Sequence, residues 1–425
     1  MTGLLIIAIF IVLMAVGIPV AVSLGTSALI YMVFFNDIPS TVVFQQMVSG
    51  VDKFMLMAIP FFIIAGGLME HGGISARIIK FSKELAGPLT GGVAIVTVIA
   101  SMIFAAMTGA GVATVAAIGS IMIPAMYKEG YDKDFACALQ ATGGIFGPLI
   151  PPSILMVLYG STAGVSVADM LIGGVFPGLL MGLLVGITAV IICKRRGFKG
   201  QGSWNLKRLV GSLFDAFWAL LSPFIILGGI YSGIFTPTEA AAVACLYSLL
   251  VGLFIYRELE LKRTLHVLAQ SAIMAGGILI IVGATQAFGW VLTREQIPQQ
   301  IAEFCQLLIT DPYMFMVFTA VLLLIAGCFI DPVPAVMLFV PILCPAAQAY
   351  NISLVHYGVV MVCALVIGLI TPPVGINLFV ASSVGDRPVH SIIKHLPPFI
   401  LTLIVGLAFV IFMPSISLFL PNLMK

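Results

Sequence analysis

Two short stretches of this sequence carry the residue types from which a buried ion or anion site can be built. The first reads Gly143-Gly144-Ile145-Phe146-Gly147-Pro148-Leu149-Ile150-Pro151-Pro152-Ser153, and the second Gly368-Leu369-Ile370-Thr371-Pro372-Pro373-Val374-Gly375-Ile376-Asn377. Proline lacks an amide N–H and clashes with the carbonyl one turn earlier, while glycine lets the backbone turn, so each stretch should interrupt a helix. Unwinding frees carbonyl oxygens. Carbonyls aimed into a dry cavity suit a small hard cation, whereas the N-terminal ends of half-helices suit an anion. Prolines that merely kink a packed helix are the plain alternative for one such stretch, and the recurrence of the pattern favours a site.

Asp331 stands between LLLIAGCFI and an apolar arm. An acid at such depth costs about 2.5–3.5 kcal/mol on insertion scales and reads as functional by default. It is equally well placed as an N-cap, with Pro332 at the first helical position, and the two roles are compatible. Asn377 offers an amide oxygen just past the second break, either for an ion or for an interhelical hydrogen bond. Glu239 looks buried, but Thr236-Pro237-Thr238-Glu239 is a capping box with Pro at the first helical position, which gives it a structural role.

Other chemistry is missing from the sequence. It has no Walker sequence and no nucleotide fingerprint; Glu70-His71 does not extend to HExxH, and no Ser/His/Asp grouping is suggested by position. Neither ATP drive nor an enzyme is indicated. The seven cysteines are odd in number and lack metal-ligand spacing, so they read as small core residues. Of 425 residues 61% are hydrophobic and 8% charged, against roughly 25% charged in soluble proteins, so the solvent for most of the chain is lipid. A net charge of +2 without a polybasic run implies no nucleic-acid partner.

The elements that must hold these residues come in two sets. A shift of 221 positions carries Pro124 onto Pro345, Gly147 onto Gly368, Pro151 and Pro152 onto Pro372 and Pro373, and Pro177 onto Pro398. The halves are roughly 1–211 and 212–425. Within the first, apolar runs fall near 3–16, 19–35, 54–70, 93–127, 134–163 and 168–193, and the second half repeats that order. The fourth run is too long for one span of about 20 residues and too short for two with a loop. A re-entrant hairpin turning at Thr108-Gly109-Ala110-Gly111 fits, with a counterpart at 313–349 turning at Asp331-Pro332-Val333-Pro334. Broken helices follow, at about 134–163 and 356–384. Stretches 71–88 and 291–308 carry mixed charge and read as interfacial helices or solvated loops.

If each hairpin returns to its own side and every other run crosses, 16 of the 19 basic residues share one face, with Lys53, Arg294 and Lys425 opposite. Cytoplasmic loops retain Lys and Arg, so that face is cytoplasmic and both termini lie outside. The N-terminal apolar stretch lacks a charged leader and reads as a retained span. Five crossings per half turn the second copy upside down. The expected fold is an all-α polytopic membrane protein of two inverted-topology repeats, an arrangement typical of secondary transporters.

With these residues in view, the sequence resembles the large membrane subunit of tripartite ATP-independent periplasmic (TRAP) transporters. The resemblance covers essentially the whole chain and rests on IPFFIIAGGLMEHGGISARI at 59–78, IPPSILMVLYG at 150–160, GIFTPTEAAAV at 233–243 and IGLITPPVGINLFVASS at 367–383. It implies a sodium-coupled importer of small organic acids such as C4-dicarboxylates, sialic acid or other sugar acids. It also implies an elevator motion of a transport domain against a scaffold, a bacterial inner-membrane location, a small four-helix membrane subunit and a periplasmic substrate-binding protein. Carried over, sodium would be held by Thr108, Gly111, Gly143, Gly147 and Pro151 at the first hairpin and break, and by Asp331, Gly368, Thr371, Gly375 and Asn377 at the second. Substrate would meet Thr108, Gly109, Ser153 and Asp331. The family's first tip usually reads like Ser-Gly-Ser-Ala; here one hydroxyl is lost at Ala110, which leaves more to backbone carbonyls. A partner-independent anion transporter and a passive channel are the competing readings, the latter disfavoured by the lack of polar rings along the spans.

Overall fold

The computed structural model describes residues 3–36, 38–198, 200 and 205–424; Lys199 and Lys425, both counted in the charge argument, lie outside them. The described residues form helices and connecting segments, with no strand among them. Seven helices among them are long and apolar enough to cross a membrane.

A pair of helices joined by a short turn stands at each place where a hairpin was expected. The first consists of Gly92–Thr108 and Gly111–Lys128, and the second of Pro312–Gly327 and Pro332–Ala349. Gly109 makes the first tip possible because its φ of +64° is a left-handed value that side chains disfavour. The second tip is Cys328–Asp331, three residues earlier than expected: Pro332, Val333 and Pro334 already form the first helical turn, where proline's missing N–H costs nothing.

After each hairpin a helix breaks at the glycine-proline stretch. Lys133–Gly143 passes through a short 3-10 turn at Gly144–Phe146 and resumes as Ile154–Ala163. Leu354–Gly368 resumes as Ile376–Gly385. Each break contains a cis Pro–Pro peptide bond. The two broken helices are joined at one end, where Arg387 binds Asp134 through two nitrogens at 2.6 and 3.1 Å and Ser391 donates to the same carboxylate at 2.8 Å. That carboxylate raises the Arg387 pKa above its ordinary value.

The mixed-charge stretches are amphipathic helices, Ile74–Ala86 and Ile297–Leu308. The first is tied to the segment preceding Leu261–Arg294 by Arg77–Glu258 and to the helix Leu206–Tyr231 by Lys80–Asp215, both at 2.6 Å. The second packs along Pro332–Ala349 and begins later than expected, because residues 291–294 still belong to Leu261–Arg294. That helix has 34 residues and spans about 51 Å at ~1.5 Å per residue. At the corresponding place in the first half, the sequence is interrupted at Asp52-Lys53, between Thr41–Val51 and the turn that starts Phe54–His71. Thr41–Val51 lies outside the apolar runs read from sequence. It forms because Val43 and Gly50 bury against Leu261–Arg294, where a β-carbon on Gly50 would meet Gln286.

Candidate functional site

Each tip is clasped by its own break through close backbone contact, which is why glycine occupies the contact points. A β-carbon at Gly109 would overlap the Pro152 carbonyl oxygen, and one at Gly147 would lie 2.5 Å from the Ala110 carbonyl oxygen and 2.7 Å from the Gly111 nitrogen. Gly111 faces the Gly144 carbonyl, 2.8 Å from where its β-carbon would be. At the second tip Gly327 and Gly368 abut, and a β-carbon on Gly368 would come 2.5 Å from the Gly327 oxygen. The Val374 amide donates to the Cys328 carbonyl at 3.2 Å.

Side chains then distinguish the tips. Thr108 spends its hydroxyl on the Phe104 carbonyl at 3.3 Å. The helix starting at Gly111 has no side-chain cap, since Ala110 precedes it. The helix starting at Pro332 is capped by Asp331, whose Oδ1 accepts from the Val333 amide at 2.9 Å. Asp331 therefore performs the capping role read from sequence while lying on the wall of the cavity described next.

Between the tips lies a cavity of about 460 Å³. Its near wall is formed by residues 108–113, Pro148, Ile154, Leu155, residues 331–333, Leu369 and Asn377. The far wall comes from the helices Ala58–His71 and Leu261–Arg294, including Glu70, His71, Gln270 and Ser271. Asn377 is fully buried; its Nδ2 donates to the Ala141 carbonyl at 3.3 Å, and its Oδ1 has no hydrogen-bond partner. An orphaned acceptor at zero exposure asks for a ligand, because an unmet buried polar group is costly.

Residues 7–416 match the family described as "Tripartite ATP-independent periplasmic transporter, DctM component". The chain belongs to the DctM family. It is 38% identical over 411 residues to the sialic acid TRAP transporter large permease protein SiaM of Vibrio cholerae, covering 97% of this chain and 96% of that one. It is 40% identical over 400 residues to the C4-dicarboxylate TRAP transporter large permease protein DctM of Pseudomonas aeruginosa, covering 94% of each. Among solved structures, the YdaH transporter of Alcanivorax borkumensis superposes with a TM-score of 0.63 over 96% of this chain and 97% of that one, at 14% identity. That likeness concerns the fold alone. The chain is a polytopic membrane transporter subunit.

In this DctM chain the sequence-derived residues divide into two groups. Thr108, Gly109, Gly111, Asp331 and Asn377 reach the cavity wall, whereas Gly143, Gly147, Pro151, Ser153, Gly368, Thr371 and Gly375 lie behind it. Ser153 turns its hydroxyl to the Pro148 carbonyl and caps its own helix at the Met156 amide, 3.3 Å away. Thr371 bonds back to the Ile367 carbonyl at 2.8 Å. Asn377 was grouped with the second tip. The structure instead sets it against the first, with Oδ1 3.3 Å from the β-carbon position of Gly111 and Nδ2 against Gly144. Glu239 is exposed rather than buried, and its capping box is complete: Oε2 accepts from the Thr236 amide at 2.8 Å, and Thr236 Oγ1 accepts from the Glu239 amide at 3.3 Å. The far wall went unread; Glu70-His71 was weighed only as an incomplete HExxH, and Gln270 and Ser271 carry no local signal inside a long helix.

Proposed function

We propose that this chain is the large membrane subunit of a sodium-coupled, binding-protein-dependent importer of small organic acids. The observation that carries the reading is the clasp of tip on break, occurring twice around one cavity that also holds an orphaned buried amide oxygen and a carboxylate. These donors are oxygens of carbonyl, amide and carboxylate type, a set suited to a hard cation; among the described residues no His/Cys/Asp/Glu group suits a transition metal. Asn377 with the carbonyls around Gly111 and Gly144 would hold sodium at the first tip, and Asp331 with the Gly368–Gly375 backbone at the second. A bound cation there offsets the buried acceptors and stiffens each tip against its break, so substrate binding and ion binding favour the same state.

The substrate is a small organic acid, with sialic acid, other sugar acids and C4-dicarboxylates as the candidate classes, held near the open helix start at Gly111. Residues 1–211 and 212–425 form inverted repeats, each of five spans and one re-entrant hairpin, in the bacterial inner membrane with both termini periplasmic. The cavity runs toward His71 and Val267, the ends of their helices nearest Arg77 and Arg263, and hence toward the face rich in basic residues. At the other end Lys53 reaches the Ser161 carbonyl at 3.5 Å, and Thr238 reaches the Phe54 carbonyl at 3.4 Å. This pattern of one open and one closed end suits an inward-facing carrier that moves its hairpins and broken helices as an elevator against the scaffold. The partners are a small four-helix membrane subunit and a periplasmic substrate-binding protein.

Uptake into proteoliposomes containing the chain, its small subunit and the binding protein tests the reading. An inward sodium gradient is expected to drive accumulation; uptake indifferent to sodium overturns the coupling. Asn377→Leu is expected to raise the sodium concentration needed for half-maximal uptake by about tenfold, the equivalent of ~1.4 kcal/mol.

A further inference from the structure

We infer that the solute this cavity accepts carries a single anionic group on an apolar or hydroxylated body, and that dicarboxylates fit it poorly. The inference rests on the reading above, that the cavity is the transport site, and narrows its substrate class. Four helices start on the cavity wall, at Gly111, Ile154 and Pro332 and at Ile376, the last reaching it through Asn377. A helix start attracts an anion through its unmatched N–H groups and partial positive charge. Three of the four are already served: Ser153 caps the second, the full negative charge of Asp331 sits on the third, and the Asn377 and Leu378 amides of the fourth donate to the Leu369 and Gly375 carbonyls. The first has neither side-chain cap nor acid nor such backbone carbonyls on its opening amides, and beside it stands the fully buried Asn377 with its unpartnered Oδ1. One anion-binding position follows, next to one acceptor for a cation.

The remaining wall offers no positive charge to a second carboxylate. Among the described residues, no Lys or Arg lines the cavity, and its acids are Glu70 and Asp331. His71 is its one imidazole, and its Nδ1 is engaged with the Gly67 carbonyl at 3.0 Å. A dianion anchored at Gly111 would place its other charge toward an acid, toward apolar groups such as Ile278 and Met274, or toward the neutral Gln270 and Ser271, with like-charge repulsion or desolvation and no compensating cation. A monoanion leaves only its uncharged body on that wall, where Gln270 and Ser271 can meet hydroxyls.

The test is equilibrium binding to the purified transporter, chain and small subunit together, in sodium buffer at neutral pH. Probes are 4-methyl-2-oxopentanoate and N-acetylneuraminate as monoanions, and succinate and malate as dianions. At least one monoanion is expected to bind about tenfold or more tightly than either dianion. Met274→Lys, at a half-exposed position on the wall, is expected to raise succinate affinity about tenfold relative to the best monoanion. Succinate or malate binding as tightly as the best monoanion to the unaltered protein overturns the inference and leaves the transporter reading intact. Monoanion preference without sodium dependence supports the inference while defeating the coupling. No binding of any of the four acids overturns both.

Discussion

The two tip-and-break pairs share a backbone plan and differ in nearly everything attached to it. Both press glycine on backbone, at Gly109, Gly111 and Gly147 in one and at Gly327 and Gly368 in the other. Yet the first break, residues 147–153, is buried throughout, whereas Pro373 and Val374 of the second are exposed. The first tip presents an uncapped helix start and no charge; the second presents Asp331. The backbone contacts thus make the clasp, and the side chains set the ends apart: a buried, neutral end with a bare helix start, and a more exposed, acidic one.

The sharpest way to break this division is Asp331→Ala. Sodium-driven uptake is expected to fall by about a hundredfold, the scale of ~3 kcal/mol, while stability drops by only about 1 kcal/mol for the lost cap. Comparable loss in both, measured by uptake alongside denaturation, would reduce Asp331 to a cap. Next comes the difference in burial. Gly147→Ala drives a methyl into the Ala110 carbonyl and is expected to cost about 1–3 kcal/mol, whereas Val374→Ala at the exposed break should stay within about 0.5 kcal/mol. Equal losses in thermal unfolding would erase the contrast. Ala110→Ser restores a hydroxyl at the neutral tip and is expected to lower the half-saturating sodium concentration by a factor of about three, on the scale of one modest hydrogen bond; an unchanged sodium titration would mean the tip needs no side-chain oxygen. The smallest effect belongs to Glu239→Gln, which keeps a capping-box acceptor outside both pairs and should leave uptake unchanged and stability within about 0.5 kcal/mol. Lost uptake in a stable variant would move Glu239 into the mechanism.

The tips and breaks could be read from sequence because glycine and proline act on their own backbone, so Thr108-Gly109-Ala110-Gly111 and Pro151-Pro152 announce themselves locally. The capping roles of Asp331 and Glu239 were legible for the same reason. What escaped depends on relations between distant segments. Asn377 belongs to the second break in the chain and to the first tip in space, and no pattern within either half encodes that crossing. Glu239 looked buried because an apolar run facing lipid reads like one facing protein. Thr41–Val51 was missed because Gln45 and Gln46 dilute its apolar signal, while the helix is held by Leu261–Arg294, far along the chain.

Leu261–Arg294 is about 51 Å long by its rise of ~1.5 Å per residue, whereas the hydrocarbon slab is about 30 Å deep. Such a strut must lean or protrude. Since its residues from Val267 to Ile281 carry one wall of the cavity, acyl-chain length becomes a handle on the cavity's shape: thicker bilayers would pull the strut upright and thinner ones lay it down.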